Sequence, residues 1–382
     1  MKHICRLLLV TLCLMLPLAA MAEDARVMPE PYASATFTDP SVIPYPQERD
    51  ENGYLIAGSA VTSYREADAA TGELEAYGTE GEFVYENPAQ GLWAYLSPTV
   101  QVRIVQYDGH WYSSFDKKEH DQRWFVADVM FDTSAEQFTQ HPWYLEDVTG
   151  MNVMGPLRNG VTRGNFARQE IWPKTLAQAD RMVIAVNGDY NLNRKDKKTT
   201  GNIIRQGRVL YDVSNVLAYP NLDCAAFFPD GSMKVYDARE TTATALLEEG
   251  AQDVVCFGPW LVRDGELRVY DGANHDNLEP RLAIGMVEPG HLVIIDCEGR
   301  VPDGPRGLDL NELAALMYYN GANEAINMDG GNTTVLIFMG EKLNRTGHDT
   351  YISSPRNQEE LFGVGKSELV RTDWVNGDPK KK

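Results

Sequence analysis

A cluster of polar residues, NMDGGNTTV (327–335), separates two apolar runs of the sequence. A plain hairpin turn would need only the Asp-Gly pair. The two glycines permit positive φ and close backbone approach, so their NH groups can face an anion, and the amide and hydroxyl side chains add donors. A carboxylate beside anion donors suits a substrate that carries a phosphate and develops positive charge elsewhere. The candidate ligands in this stretch are Asn327, Asp329, Gly330, Gly331, Asn332 and Thr333.

Two further polar motifs end predicted buried strands. Asn187-Gly188-Asp189 follows Met182–Val186, and Asp296 and Glu298 follow an apolar run that begins at His291. Each motif alone is more simply interpreted as a strand entering a turn. Their repetition at strand ends, where a rigid scaffold presents side chains, favours a functional site.

Arginines supply the cations that a phosphate requires, because a guanidinium matches phosphate oxygens in a bidentate way that an ammonium does not. Arg205, Arg281 and Arg300 lie near the motifs, and Arg345 follows them. The simpler alternative is that some of these arginines pair with surplus acids on the surface, where such pairs contribute little.

Several other chemistries lack their signatures. The sequence contains no G-x-S-x-G elbow, no Walker or G-x-G-x-x-G motif and no H-E-x-x-H. A zinc site is disfavoured because no cysteine pair has C-x-x-C spacing. Cys224, Cys256 and Cys297 sit in apolar surroundings, which favours buried thiols over one bridge plus a free thiol.

The first 22 residues read as a secretory signal peptide: Lys2 and Arg6 precede an apolar run, and Ala20-Met21-Ala22 fits a cleavage site. Their loss leaves 33 basic residues against 55 acidic ones, a formal net charge of −22. Such a surface excludes nucleic acid as a partner. We expect a secreted or extracytoplasmic protein without a transmembrane segment in its mature form.

The elements that must position these residues are mostly strands. Short β-like runs occur at Tyr54–Ala60, Gly81–Tyr85 and Leu92–Leu96, and stronger alternation begins at Val100. Further strands are predicted at Trp124–Phe131, Met182–Val186, Cys224–Phe228, Val254–Phe257, His291–Asp296 and Ala325–Met328, and helices at Leu176–Arg181, Thr242–Glu249 and Asp309–Tyr319.

This pattern predicts an α+β fold: a strand-rich mixed sheet core flanked by a few helices, with a small β-rich N-terminal extension. The expected organisation is a signal peptide (1–22), an extended lead-in and small β-rich element (23–97), a main domain (98–369) and a disordered tail (370–382).

Six stretches, taken in order, resemble the phosphodiester glycosidase family. The resemblance runs from about Val100 to Leu369, and the longest stretch is the most specific. The stretches are VNGDY (186–190), FGPWLVRDGEL (257–267), PRLAIG (280–285), EGR (298–300), GLDLNELAALMYYNGANEAINMDGGNTTVLIFMG (307–340) and SPRN (354–357).

The resemblance implies cleavage of the bond between a sugar anomeric carbon and a phosphodiester oxygen, with GlcNAc-1-phosphodiesters as the model substrate. It implies that Asp329, Asp189 and Glu298 are the catalytic carboxylates, with Asp329 at the anomeric centre. Arg281 and Arg300 would hold the phosphate. The other expected substrate ligands are Asn187, Gly188, Arg205, Asn327, Gly330, Gly331, Asn332 and Thr333.

Two alternatives stay open at this point. One is a non-catalytic protein that binds phosphorylated carbohydrate. The other is a phosphodiesterase in which Asp189, Asp296 and Asp329 gather Mg²⁺ or Ca²⁺. The glycosidase requires no cofactor, whereas the phosphodiesterase requires the cation.

Overall fold

The computed structural model describes residues 26–58, 76–113, 117–135, 173–189, 201–205, 207–213, 222–237, 239–270, 277–346 and 361–373. The predicted signal peptide, Tyr190, the stretch SPRN and residues 374–382 lie outside these ranges.

The described part of the chain is rich in strands. Its helices are α1 (Pro173–Ala179), α2 (Ala243–Glu248) and α3 (Leu310–Tyr319), with 3₁₀ turns at Tyr32–Ser34, Pro40–Val42 and Gly331–Thr333. Its strands are β1 (Ala76–Thr79), β2 (Glu82–Asn87), β3 (Leu92–Leu96), β4 (Val100–Ser113), β5 (Lys118–Phe131), β6 (Met182–Asn187), β7 (Gly201–Arg205), β8 (Arg208–Val213), β9 (Asp223–Phe227), β10 (Met233–Tyr236), β11 (Asp253–Phe257), β12 (Trp260–Arg263), β13 (Glu266–Leu267), β14 (Arg281–Glu288), β15 (His291–Cys297), β16 (Glu324–Met328), β17 (Leu336–Phe338), β18 (Glu341–Lys342) and β19 (Leu361–Lys366).

The strands form three sheets. The largest has the order β1-β2-β3-β4-β5-β15-β14-β16-β12-β13, the second β10-β9-β11-β7-β8, and the third β18-β17-β6-β19. Neighbouring strands in all three sheets pair antiparallel within the described residues. The predicted strand-rich core with few helices is confirmed.

The ten-stranded sheet is buried on both faces. One face shares a hydrophobic core with the two smaller sheets, with Ile294, Val186 and Phe227 as examples. The other face packs against α3 through residues such as Ile295 and Leu313. Alternation along the strands creates these two faces.

The N-terminal region extends this same architecture. Strands β1, β2 and β3, which fall in the expected extension 23–97, join the ten-stranded sheet beside β4. The predicted strand at Tyr54–Ala60 is wrong for its described residues, where Leu55 makes only an isolated bridge with Arg49. Arg26 binds the end of α3, donating to the carbonyls of Tyr318 and Ala322.

The C-terminal boundary also differs from expectation. Val370, in the predicted disordered tail, is buried in the core. Arg371 donates two hydrogen bonds to the Glu86 carboxylate at 2.9 and 2.7 Å. Such contacts with β2 cannot be read from a lysine-rich terminal sequence.

Cys224, Cys256 and Cys297 are buried, as their apolar surroundings predict, and no bridge joins them in this structure. No described helix combines the length and the apolar character needed to cross a membrane.

Candidate active site

The polar motifs meet at one edge of the three sheets. Leu282, near the start of β14, pairs with Met328 at the end of β16 and with Asp296 near the end of β15. The end of β6 joins them, because the Asn187 side chain reaches Asp329. The structure therefore brings together motifs whose bonded residues are up to 148 positions apart in the chain.

Asn187 fixes the Asp329 loop to β6. Its side-chain NH₂ donates to the Asp329 carbonyl at 2.8 Å, and its side-chain oxygen accepts from the Val335 NH at 3.1 Å. The residue is fully buried. Both polar ends of the amide are thus used inside the protein, which fits a supporting role for Asn187, and its expected contact with the substrate stays a prediction.

Asp189 forms a buried ion pair with Arg205. Its second oxygen accepts from the Cys256 NH at 2.7 Å, and Arg205 also donates to the Val254 carbonyl at 2.7 Å. Asp189 and Arg205 are 3% and 4% exposed. The pair joins the end of β6 to β7 and β11, so the Arg205 charge is directed at Asp189 rather than outward to a phosphate.

The Asp329 loop is shaped by Pro280. Gly330 is extended, and a Cβ there would lie 2.6 Å from the Pro280 carbonyl oxygen. Gly331 has φ +62° and donates its NH to the same oxygen at 2.9 Å. Thr333 donates its NH to the Gly330 carbonyl at 3.2 Å. The expectation that Gly331 offers its NH to an anion is therefore wrong, because that NH is used within the loop.

Arg300 lies beside this loop. A Cβ at Gly331 would lie 3.2 Å from an Arg300 guanidinium nitrogen, so the guanidinium rests on the glycine backbone. Its Nε donates to the Glu279 carboxylate. Its side chain is 47% exposed. Arg300 therefore combines a fixed position beside the Asp329 loop with access to solvent.

Arg281 is directed at backbone carbonyls. Its Nε donates to Leu308 at 3.1 Å and its Nη2 to Asn277 at 3.0 Å. These bonds orient the start of β14 next to Arg300 and the Asp329 loop. The expected phosphate contact through Arg281 stays a prediction.

Glu298 is tied to Arg345. The buried carboxylate accepts from Arg345 Nε and Nη2 at 3.1 and 3.0 Å and from the Arg345 backbone NH at 3.0 Å. Burial raises the pKa of Glu298, and Arg345 opposes that rise. The predicted catalytic role of Glu298 thus competes with a structural one, the attachment of Arg345 to the end of β15.

Asp296 is completely buried, and neither carboxylate oxygen has a hydrogen-bond partner among the described residues. Burial, with the Glu298 charge next, raises the pKa of Asp296 well above its ordinary value. Asp296 therefore holds a proton under conditions where an exposed aspartate is ionised.

Asn327 supports a neighbouring turn. Its side-chain NH₂ donates to the Gly258 carbonyl at 2.7 Å, and its backbone NH donates to the Pro259 carbonyl at 3.0 Å. The residue is 1% exposed. Asn332 is exposed on the 3₁₀ turn that follows the glycines, and Gly188 is buried between Asn187 and Asp189.

Sequence reasoning missed the roles of Glu279, Pro280 and Cys256. Glu279 directly precedes PRLAIG and Pro280 is its first residue, and an acid two positions before a predicted phosphate-binding arginine could have indicated an ion pair at the site. Cys256 contributes through its backbone NH, which donates to Asp189. Every residue except proline has this group, so the residue type gives no indication of the role.

No group of three or more His, Cys, Asp or Glu residues in the described ranges has the arrangement of a metal site. Asp189, Asp296 and Asp329 therefore do not form the cluster that the cation-dependent alternative expects.

Residues 180–364 match the model of the phosphodiester glycosidase family. The matched segment is a little less than half of the 382-residue chain. It contains all the candidate site residues, and the resemblance drawn from the sequence is confirmed.

Similarity to individual proteins is partial. A 173-residue stretch is 32% identical to the SPbeta prophage-derived uncharacterized protein YomE of Bacillus subtilis, covering 44% of this chain and 26% of that protein. The chain thus spans about a quarter of this curated relative.

Among solved structures, the chain is similar to the catalytic domain of zebrafish N-acetylglucosamine-1-phosphodiester alpha-N-acetylglucosaminidase, described as auto-inhibited by its pro-peptide. The TM-score is 0.50 at 15% identity, over 82% of this chain and 97% of that one. A hypothetical protein from Synechocystis gives a TM-score of 0.39 at 13% identity, over 68% and 61% of the two chains. The zebrafish match shows a shared fold.

Proposed function

We propose that this chain hydrolyses the bond between a sugar anomeric carbon and a phosphodiester oxygen, with GlcNAc-1-phosphodiesters as the substrate class. The observation that carries the proposal is the Arg300 guanidinium packed on the Gly331 backbone of the Asp329 loop. The loop that carries the Asp329 carboxylate and a fixed, solvent-accessible cation thus lie together at a strand end. The match of residues 180–364 to the phosphodiester glycosidase family model supports the same reaction.

The chemistry of the leaving group explains why Asp329 and Arg300 suffice for this hydrolysis. Breaking the anomeric C–O bond sends its electron pair to a phosphomonoester oxygen. The second pKa of a phosphomonoester is about 6, so this group leaves as a stable dianion near neutral pH. A cation that binds its oxygens therefore contributes more than a strong general acid does.

Asp329 acts on the sugar in this proposal. Loss of the phosphate leaves an oxocarbenium-like carbon, which a carboxylate stabilises or traps. Water then supplies the hydroxyl, and the products are a free sugar and a phosphomonoester. Asn187 holds the Asp329 backbone, and Glu279 holds Arg300, so both groups are positioned before substrate binds.

The natural setting proposed is outside the cytoplasm, on phosphodiester-linked cell-wall or exopolysaccharide sugars. The N-terminal sequence that resembles a signal peptide supports this setting. A phosphorylated carbohydrate is the expected partner.

The test is release of free GlcNAc from a methyl-phospho-GlcNAc substrate, measured with and without EDTA. The wild type should release sugar in both conditions, and Asp329→Asn should lose activity by at least about 10²-fold. Asp264→Asn, a change of the same charge in another Asp-Gly turn, is the matched control and should retain activity.

Binding of the substrate without release by any form would instead make this strand edge a phosphoglycan-binding site. Activity that EDTA abolishes, and that added Mg²⁺ or Ca²⁺ restores, would support the cation-dependent phosphodiesterase.

A further inference from the structure

Cys224 and Cys256 face each other across two neighbouring strands of the five-stranded sheet. Cys224 follows the first residue of β9, Cys256 precedes the last residue of β11, and the two are direct antiparallel partners. Both are fully buried. Their 32-residue separation in sequence gives no indication of this pairing.

The two side chains lie on the same face of the sheet. Cys224 and Cys256 belong to the hydrophobic cluster that includes Leu246 of α2. The adjacent residues Ala225 and Val255 belong to the cluster on the opposite face. Because side chains alternate along a strand, the two sulfurs occupy neighbouring positions in one layer.

The backbone spacing of this pair fits a disulfide. Directly opposed residues of an antiparallel pair have Cα atoms about 4.5 or about 5.5 Å apart. Disulfide-linked residues have Cα separations of about 4.4–6.8 Å. In this structure the Cys256 sulfur lies toward Gly201, where a Cβ would be 2.4 Å from it. Because the two residues are direct partners, we expect the bridge to require rotation of the Cys256 side chain about χ1 rather than a change in the strand pairing.

Cys297 has no comparable neighbour. It lies at the end of β15, opposite Arg281 and Trp124, and its thiol donates to the Glu298 carbonyl at 3.0 Å. The three cysteines of the described chain thus divide into one opposed pair and one separate thiol.

We propose that Cys224 and Cys256 form a cross-strand disulfide when the chain folds in the presence of a disulfide oxidant. The two thiols give up two protons and two electrons as the Sγ–Sγ bond forms. The S–S bond of the oxidant accepts them and becomes two thiols, so the exchange is balanced. Cys297 stays a free thiol.

We expect the Cys224–Cys256 disulfide to form during folding rather than after the protein has folded. Burial raises the pKa of the Cys224 thiol to about 12, and thiolates are the species that attack disulfides. A chain that folds while reduced should therefore stay reduced on later exposure to oxidant. A chain that folds with oxidant present should form the disulfide before the two cysteines become buried.

The bridge would also stiffen the edge that holds the candidate active site. The Cys256 NH binds Asp189, which pairs with Arg205, and Asp223 beside Cys224 accepts from the Trp260 NH at 2.9 Å. A disulfide between β9 and β11 would hold the Cys256 NH in place for Asp189 and the Asp223 carboxylate in place for the Trp260 NH. This inference does not depend on the proposed reaction.

The test compares two preparations of the purified chain, one refolded from the reduced, denatured state with glutathione disulfide and one refolded with excess thiol. Free thiols are alkylated after denaturation, and tryptic peptides are analysed by mass spectrometry without reduction. Cys224, Cys256 and Cys297 fall in three different tryptic peptides, 209–234, 240–263 and 282–300.

The oxidised preparation should yield peptide 209–234 linked to 240–263, with 282–300 alkylated, and its Tm should exceed that of the reduced preparation by about 5 °C or more. Cys297→Ser should keep this link and this Tm difference, whereas Cys256→Ala should lose both. Recovery of 209–234 and 240–263 only as alkylated peptides from the oxidised wild type would overturn the proposal. Linkage of either peptide mainly to 282–300 would also overturn it.

Discussion

Asn187 and Asp189 show how much of the site consists of side chains that hold other parts of the protein. Both residues end a predicted buried strand, and the family resemblance implies a substrate contact for Asn187 and a catalytic role for Asp189. In the structure, the Asn187 side chain is hydrogen-bonded to the Asp329 carbonyl and the Val335 NH. Asp189 forms an ion pair with Arg205 and accepts a hydrogen bond from the Cys256 NH. Residue type and position predict membership of the site, whereas these partners depend on chain segments brought together only by folding.

Asn187→Ala should reduce both stability and turnover. Removal of the amide leaves a buried carbonyl and a buried NH without partners, which costs about 1–3 kcal/mol in the free energy of unfolding. The freed Asp329 loop should lower kcat by about 10²-fold with a smaller change in KM, because misplacement of a reacting group acts mainly on the transition state. Urea denaturation and steady-state kinetics on the methyl-phospho-GlcNAc substrate measure the two effects.

Asn202→Ala is the matched control for this variant. Asn202 is also buried and also bridges backbone groups, the Thr241 carbonyl at 3.2 Å and the Ala243 NH at 2.9 Å. It should lose comparable stability and keep its kcat. Equal losses of kcat in the two variants would contradict the positioning role of Asn187.

Asp296 gives a stability prediction with a defined pH dependence. Its raised pKa means that the folded protein keeps a proton which the unfolded chain releases above about pH 4. This contribution to stability is complete below pH 4 and is lost as the pH rises toward the raised pKa. Asp296→Asn removes the acid at nearly constant volume, so its stability relative to wild type, measured by urea denaturation, should increase as the pH rises above about 4.

Asp180→Asn provides the contrast. Asp180 is also buried, but its Oδ1 accepts from Lys366 Nζ at 3.1 Å. Loss of that ion pair should destabilise the protein at neutral pH. A pH-independent loss of stability in Asp296→Asn would show that Asp296 is instead a paired, ionised carboxylate.

The secondary-structure elements divide into those that the sequence predicts well and those that depend on pairing. The predicted helix at Asp309–Tyr319 is confirmed as α3, and Asp309 and Glu312 form the expected capping box. The pattern is local, so the sequence contains it. The strand order β5-β15-β14-β16 places distant segments side by side, and alternation alone cannot specify such neighbours.

The capping box of α3 also has a connection that its sequence does not reveal. Glu312 accepts from the Trp111 indole NH of β4 at 2.8 Å. Burial, followed by the Asp309 charge, raises the pKa of Glu312 to about 7. The carboxylate thus links the helix N-terminus to the ten-stranded sheet.

Asp309→Ala should therefore have two measurable effects. Loss of the cap should lower the free energy of unfolding by about 1 kcal/mol. Loss of its charge should lower the pKa of Glu312 from about 7 toward its ordinary value, as measured by NMR titration of the carboxyl carbon. Thr242 caps α2, because its hydroxyl accepts from the Ala245 NH at 3.1 Å, and Thr242→Ala removes this cap. It should reproduce the first effect without the second, and a rise in the Glu312 pKa in Asp309→Ala would contradict this account.

Across the whole chain, a strongly acidic protein with a formal net charge of −20 positions arginines at one edge of its sheets. Arg205 and Arg345 are committed to Asp189 and Glu298, whereas Arg300 stands over the Asp329 loop with half of its side chain exposed. Composition predicts the need for such a local cation, but the choice among arginines depends on three-dimensional pairing. This arrangement underlies the proposal that the site acts on the sugar carbon and holds the phosphate as the leaving group.

Hydrolysis of a methyl-phospho-GlcNAc substrate in ¹⁸O-labelled water tests that claim most directly. Mass spectrometry of the products identifies which bond breaks. Attack at the anomeric carbon puts the label in the released GlcNAc and leaves the methyl phosphate unlabelled, which is the result we predict. Label in the phosphate product would mean that water attacks phosphorus, and it would contradict the assignment of Asp329 to the anomeric centre and of Arg300 to a departing phosphate.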